Sequence, residues 1–191
     1  TVLFDKGRTL YNMGPARKAV GPDQPLIVAE GYMDVIALVE AGFEAAVAPL
    51  GTAITETQLS LLWRMTPEPI VALDGDKAGL RAAYRLIDLA LPALEAGRAL
   101  RFALMPEGQD PDDLIRQSGA GALRKLLQNP MPMVELLWQR EMAAGPFDSP
   151  ERKAGLDKAL ATKIKLIKDH GLRLHYEAAL KDLRWALFRN H

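Results

Sequence analysis

Three acidic clusters stand out, each joined to glycine or proline. They are Glu30-Gly31 with Asp34, Asp74-Gly75-Asp76 leading to Gly79, and Asp110-Pro111-Asp112-Asp113 after Gln109. Brought together, that many carboxylates would repel and raise one another's pKa values unless cations lay among them. Oxygen-only ligation suits Mg²⁺ or Mn²⁺. Carboxylate-held divalent ions point to phosphoryl transfer, where metals stabilise the attacking and leaving oxygens. Each cluster alone has a plainer use. An Asp-x-Asp can be a cap and a turn, Glu-Gly a turn, and Asp-Pro-Asp-Asp a cap that complements the helix dipole. The glycines would let backbone approach a ligand, although tight turns also use them.

The elements that must position these acids can be read from periodicity. Apolar runs at 26–29, 45–50, 69–73 and 99–104 read as buried strands. Helical spacing covers 33–41, 55–65, 77–91 and 111–117, with Thr55 a candidate N-cap and Pro111 suited to a first helical position. Alternation of this kind predicts βαβ units and a parallel four-stranded sheet covered on both faces. Each acidic cluster follows a strand, so six or seven carboxylates would gather at the C-terminal edge where such sheets bind ligands. Beyond residue 118 the strand signal stops, and 121–127, 133–142, 150–169 and 172–188 read as an α-helical bundle. Trp63, Trp138 and Trp185 sit at helical spacing with apolar neighbours and read as core residues.

Composition narrows the chemistry. The 191 residues contain no cysteine and three histidines, His170, His175 and His191, which excludes a Cys-ligated zinc site or an Fe–S cluster within this chain. No apolar run approaches the roughly 18 residues of a membrane span, and no signal peptide opens the chain. These features point to the cytosol. The chain opens on Thr1 within sequence that reads as structured, as a piece of a longer protein would. The balance of 24 basic and 24 acidic residues conceals an asymmetry. Residues 30–113 hold 14 acidic and 6 basic residues, net −8, whereas 151–191 hold 10 basic and 5 acidic, net +5. An acidic centre with basic flanks would suit cations beside a polyanion; a solvated, unevenly charged surface would look the same.

Four strings, in order, resemble the DnaG-type bacterial primases, and more broadly the Toprim fold of topoisomerases, primases and some nucleases. They are Glu30-Gly31-Tyr32-Met33-Asp34-Val35, Leu50-Gly51-Thr52-Ala53, Asp74-Gly75-Asp76-Lys77-Ala78-Gly79 and Gln109-Asp110-Pro111-Asp112. The match spans about residues 3–118, and Phe4–Tyr11 resembles the primase segment just before the core. The resemblance implies three parts: 1–24 ending an N-terminal polymerase subdomain, 25–118 as the Toprim catalytic core, and 119–191 as a helical bundle.

It further implies synthesis of short RNA primers on single-stranded DNA from nucleoside triphosphates, with Mg²⁺ or Mn²⁺ and more than one ion. Glu30 matches the Toprim glutamate, a general base or metal-linked acid. Asp74 and Asp76 match the metal-holding pair. Asp34, Asp110 and Asp112 match further acids of the metal and nucleotide site. Lys6 matches a lysine thought to contact nucleotide or primer, and Lys77 stands where some relatives carry arginine. The family's zinc-binding domain and the first half of its polymerase domain find no match here. Its helicase-binding domain would follow the last residue, so the replicative helicase is a partner only of the longer protein. Lys158, Lys163, Lys165, Lys168 and Arg173 could hold template backbone, or simply form a solvated face.

Other readings stay open. A Toprim nuclease or topoisomerase would use the same acids, the latter with a nucleophilic tyrosine among Tyr11, Tyr32, Tyr84 and Tyr176. A receiver-like module or a dehalogenase-type phosphatase would place its acids after the first strand, and here the Asp-x-Asp follows the third. An inactive metal-binding piece would be told apart by assay.

Overall fold

The computed structural model describes residues 4–189; the ends of the first and last expected segments, 1–3 and 190–191, lie outside them. In chain order the elements are α1 (Met13–Ala19), β1 (Ile27–Val28), α2 (Tyr32–Glu40), β2 (Ala46–Val47), α3 (Glu56–Met65), β3 (Ile70–Leu73) and α4 (Lys77–Ala90). Then follow β4 (Arg101–Leu104), α5 (Pro111–Ser118), α6 (Ala120–Gln128), β5 (Met131–Pro132), α7 (Met133–Met142), α8 (Pro150–Ile164) and α9 (His170–Arg189). No helix among the described residues is long and apolar enough to cross a membrane.

The sheet runs β2-β1-β3-β4-β5. The first four strands are parallel, with Val28 beside both Val47 and Val71, and Val71 beside Phe102. The expected four strands are present, and a fifth joins them. Met131–Pro132 lies antiparallel to β4, with Met131 opposite Phe102. Two residues, one of them proline, leave no periodicity to read, and the position at the sheet edge is where proline is tolerated. The second apolar run pairs over a shorter stretch than its length suggests. Ala46–Val47 is its only strand, and Ala48 instead receives the Tyr11 N–H at 2.8 Å in an isolated antiparallel bridge.

Alternation along the strands divides the interior. Val28, Val47, Val71, Leu73 and Phe102 face α3, α4, α7 and α8. Ile27, Ala46, Ile70, Ala72 and Ala103 face α2, α5 and α6. The later helices share the first of these cores rather than building their own, because Leu136, Leu137, Leu156, Leu160, Ile164 and Leu180 lie in the same buried cluster as the sheet.

Capping chemistry fixes the helix starts. Thr55 accepts from the Gln58 N–H at 3.1 Å while the Gln58 side chain accepts from the Thr55 N–H at 3.0 Å, a capping box. The long helix expected over 150–169 ends at Ile164, and α9 begins afresh. Asp169 takes the Leu172 N–H at 2.9 Å as a new cap, and Arg173 donates twice to the Ile167 carbonyl at 3.0 and 2.6 Å. Trp63 is buried and donates its indole N–H to the Ala99 carbonyl at 3.1 Å, and half-buried Trp138 packs against the core. Trp185 departs from the reading: it is 67% exposed, because Leu180 is the only described α9 residue that reaches full burial.

Candidate active site

In a sheet of order 2-1-3-4, the order in which parallel strands are added reverses between β1 and β3, and ligands bind outside the C-terminal ends of those strands. Glu30 lies two residues past β1 and Asp74 one residue past β3, so the switch point brings the two carboxylates together. Asp74 holds its proton up to about 8. Burial is the main cause, followed by the charge of Glu30, a hydrogen bond with Glu30, and the charges of Asp34 and Asp110. Asp34, in the first turn of α2, is only 8% exposed and is raised to about 6. Burial again leads, then the Asp110 charge, opposed by the Asp112 N–H that the Asp34 carboxylate accepts at 3.4 Å. Four acids from three strand ends therefore share one electrostatic neighbourhood.

Several of these acids also serve the backbone or a neighbouring cation. Asp76 caps α4 by accepting the Gly79 N–H at 2.6 Å, and Asp110 caps α5 by accepting the Asp113 N–H at 2.7 Å. Asp113 completes that box by accepting from the Asp110 N–H at 3.2 Å and pairs with Arg116, the capping role its position suggests. Asp112 lies 3.5 Å from the same guanidinium. No three acidic or histidine side chains among the described residues stand close enough to enclose an ion. Even so, the Asp74 Oδ1 is buried without a hydrogen-bond partner, and an uncompensated buried oxygen is costly. An all-oxygen set with an orphaned acceptor is a chemical fit for a hard divalent cation.

Gly75 and Gly79 serve backbone packing, whereas a side chain at Gly31 would meet nothing. A Cβ on Gly75 would lie 1.9 Å from the Pro106 carbonyl oxygen, and one on Gly79 would lie 2.4 Å from that of Asp74. The Gly75 N–H donates to Gln109 at 2.9 Å and Gly75 accepts from Gly108 at 2.8 Å. The two acidic loops are thus clamped to each other. Beside Glu30 a cleft of about 330 Å³ opens over β1 and β3, with Val28, Val71, Leu73 and Leu86 as its floor and Thr52 and Arg85 on its rim.

Residues 27–115 match the Toprim-like family. The chain is 40% identical to the DNA primase of Rickettsia bellii over 185 residues, covering 97% of this chain and 31% of that protein. It superposes on a DNA primase domain from Pseudomonas aeruginosa with a TM-score of 0.87 at 38% identity, covering 96% of this chain and 58% of the other. A DnaG primase catalytic domain bound to single-stranded DNA gives 0.85 at 36% identity, over 95% and 59%. The chain belongs to the DnaG-type DNA primase family. It spans about a third of the length of the curated primases it matches.

Within this primase-family chain, the basic candidates divide. Lys6 and Lys77 are exposed. The Lys6 backbone is held by Gln58, whose Nε2 donates to the Lys6 and Thr9 carbonyls at 2.9 and 2.8 Å. Gln58 is fully buried and was not singled out from sequence, although Thr55-x-x-Gln58 carries the capping-box signature. Lys158, Lys165 and Lys168 face solvent. Lys163 instead pairs with Asp88 at 2.8 Å, and Arg173 is spent on the Ile167 carbonyl, so these two serve the helical packing. The expected run of cations is also split between α8, the turn after it and α9. The tyrosines give no support to a topoisomerase. Burial raises the pKa of Tyr84, and that of Tyr176 to about 12, the opposite of an activated nucleophile. Tyr11 and Tyr32 pack edge to face at 5.8 Å.

Proposed function

We propose that this chain is the catalytic core of a bacterial DNA primase, a nucleotidyltransferase that makes short RNA primers on single-stranded DNA. The observation that carries this reading is the Glu30–Asp74 pair at the β1/β3 switch point, with Asp34 and Asp110 behind it and one Asp74 oxygen unpartnered.

Glu30, Asp34, Asp74, Asp76, Asp110 and Asp112 are the residues that would hold Mg²⁺ or Mn²⁺, more than one ion being consistent with so many acids. Such ions, when bound, offset the carboxylate charge and stabilise negative charge on the attacking and leaving oxygens. The chain's own residues supply position and proton transfer. Glu30, exposed at the strand end, accepts the proton of the 3′-hydroxyl. The O3′–Pα bond forms, the bond from Pα to the bridging oxygen breaks, and pyrophosphate leaves with that electron pair. With cations bound, Asp74 would be ionised, its proton released to solvent, and both its oxygens could then act as ligands. Lys6 and Lys77 flank the acids as phosphate contacts. The related domain bound to single-stranded DNA supports that template class, and the bacterial replication fork is the corresponding setting. Residues 25–118 serve as the catalytic core, 1–24 as the end of a preceding subdomain and 119–191 as a helical subdomain. The replicative helicase is a partner of the longer protein.

The experiment is primer synthesis by the full-length protein carrying Asp74→Ala or Glu30→Gln, with folding checked by circular dichroism. Loss of primers from a folded protein is expected. Near-normal priming by Asp74→Ala would remove the reading. A Mn²⁺ soak read by anomalous scattering should place peaks among Glu30, Asp74 and Asp110.

A further inference from the structure

We propose that the outward face of α4 is a track for the backbone of one polynucleotide strand at the acidic site, with Lys77, Arg81 and Arg85 as its phosphate contacts. The inference rests on the nucleotidyl-transfer reading above and extends it from Lys77 to Arg81 and Arg85, which that reading does not use.

The three cations recur every fourth residue, so they follow one helix face in steps of about 6 Å. That is the scale of phosphate spacing along an extended strand. All three are exposed, and none forms an ion pair among the described residues. Their direction is fixed from behind: Gly79, Ala83, Leu86, Ile87 and Ala90 bury the opposite face of α4. The helix carries one acid, Asp88, and it is neutralised by Arg140 at 3.1 Å and Lys163 at 2.8 Å. The positive charge of the stripe is therefore not cancelled by its own helix.

Placement supplies the second argument. The stripe starts one residue after Asp76, and Arg85 lies on the rim of the cleft that Glu30 also lines. A strand lying on the three cations would pass directly beside the reacting carboxylates. Phosphates on the stripe would lie along the rim of that cleft, where Arg85 stands, and a positively charged groove that tracks the backbone is how proteins hold single strands without reading sequence. The basic tail offers less free charge, since Lys163 and Arg173 are already engaged.

The test uses the 191-residue chain with Arg81→Glu and Arg85→Glu together, a labelled oligothymidylate read by fluorescence anisotropy, and a salt titration. Affinity should fall about tenfold, and the log–log salt slope should become shallower by about 1.4, two contacts at roughly 0.7 each. The milder Arg81→Gln with Arg85→Gln should shift both in the same direction if the double reversal perturbs folding. Arg124→Glu with Lys125→Glu, on α6 across the sheet, controls for overall charge. Unchanged affinity and slope in the α4 variants, or an equal loss in the α6 control, would overturn the proposal. Mn²⁺ binding, followed by electron paramagnetic resonance, separates the two readings. An unmodified chain that binds Mn²⁺ but no oligonucleotide sinks the track alone, and one that binds neither sinks the nucleotidyl-transfer reading as well.

Discussion

Gly75 lies so close to Pro106 that a methyl group on it would sit 1.9 Å from the proline's carbonyl oxygen. The contact is backbone against backbone, so no side-chain rotation can relieve it. The loop that carries Asp74 and Asp76 is therefore held in place by the loop that leads to Asp110.

Gly75→Ala must part those loops. The expected cost is about 2–3 kcal/mol of stability, as for other overpacked sites. Urea denaturation would measure it. Mn²⁺ affinity should fall as well, because both acidic loops move. An alanine variant with unchanged stability and affinity would contradict the clamp.

Asp74→Asn should separate stability from binding. In the protein without divalent ions, folded Asp74 keeps its proton up to about 8, whereas an unfolded aspartate loses it near 3.9. The folded state binds the extra proton, so stability should fall as pH rises from about 4 towards about 8 and level off above. Asparagine cannot ionise and removes that fall. The variant should melt higher than the parent near pH 8 and show no increase in melting temperature with Mn²⁺. Thermal melts across pH, with and without the ion, would check both parts.

Gln58→Ala should destabilise the chain by about 2–4 kcal/mol, since it leaves the Lys6 and Thr9 carbonyls without their donor and opens the Thr55 capping box. Gln58→Glu keeps an acceptor for the Thr55 N–H yet faces two carbonyls with a carboxylate, so it should rescue nothing. Hydrogen exchange of the amides from Arg8 to Tyr11 would report the detachment directly.

Asp88 gives an acid-side signature. Burial tends to raise its pKa, but hydrogen bonds and charge from Lys163 and Arg140 outweigh that and leave it lowered. The stability it contributes is complete above the ordinary aspartate value near 3.9 and is lost as pH falls through the lower folded value. Because the side chain is 46% exposed, water screens the pair and the contribution is small. Asp88→Asn should flatten the stability curve below pH about 4 and leave it unchanged at neutral pH in slope. A parent and variant with parallel acid limbs would show the triad to be inert.

The sheet was readable because strands buried on both faces are continuous apolar runs, and the acids could be placed because three of the four runs lead into an acidic cluster. What sequence hid were features that depend on long-range pairing. Met131–Pro132 becomes a strand only because β4 presents an open edge to it. The break at residues 165–169 arises from Arg173 reaching back to Ile167, a tertiary choice that helical periodicity does not record. Trp185 fits an apolar helix face, yet no described residue covers it, and it stays 67% exposed. Capping explained Asp76 and Asp110 as well as chemistry did, and in the fold they do cap. Only the burial of Asp34 and Asp74 distinguishes carboxylates held at a cost from carboxylates used as stops.

Because Val28 and Leu180 belong to one buried cluster, the last helices are not a detachable appendage. Removing them would strip the sheet of one covering layer and expose valines and leucines to water. Sheet and helices should melt in a single cooperative transition, so a change at the far end of α8 is felt as a change in the population of intact active sites.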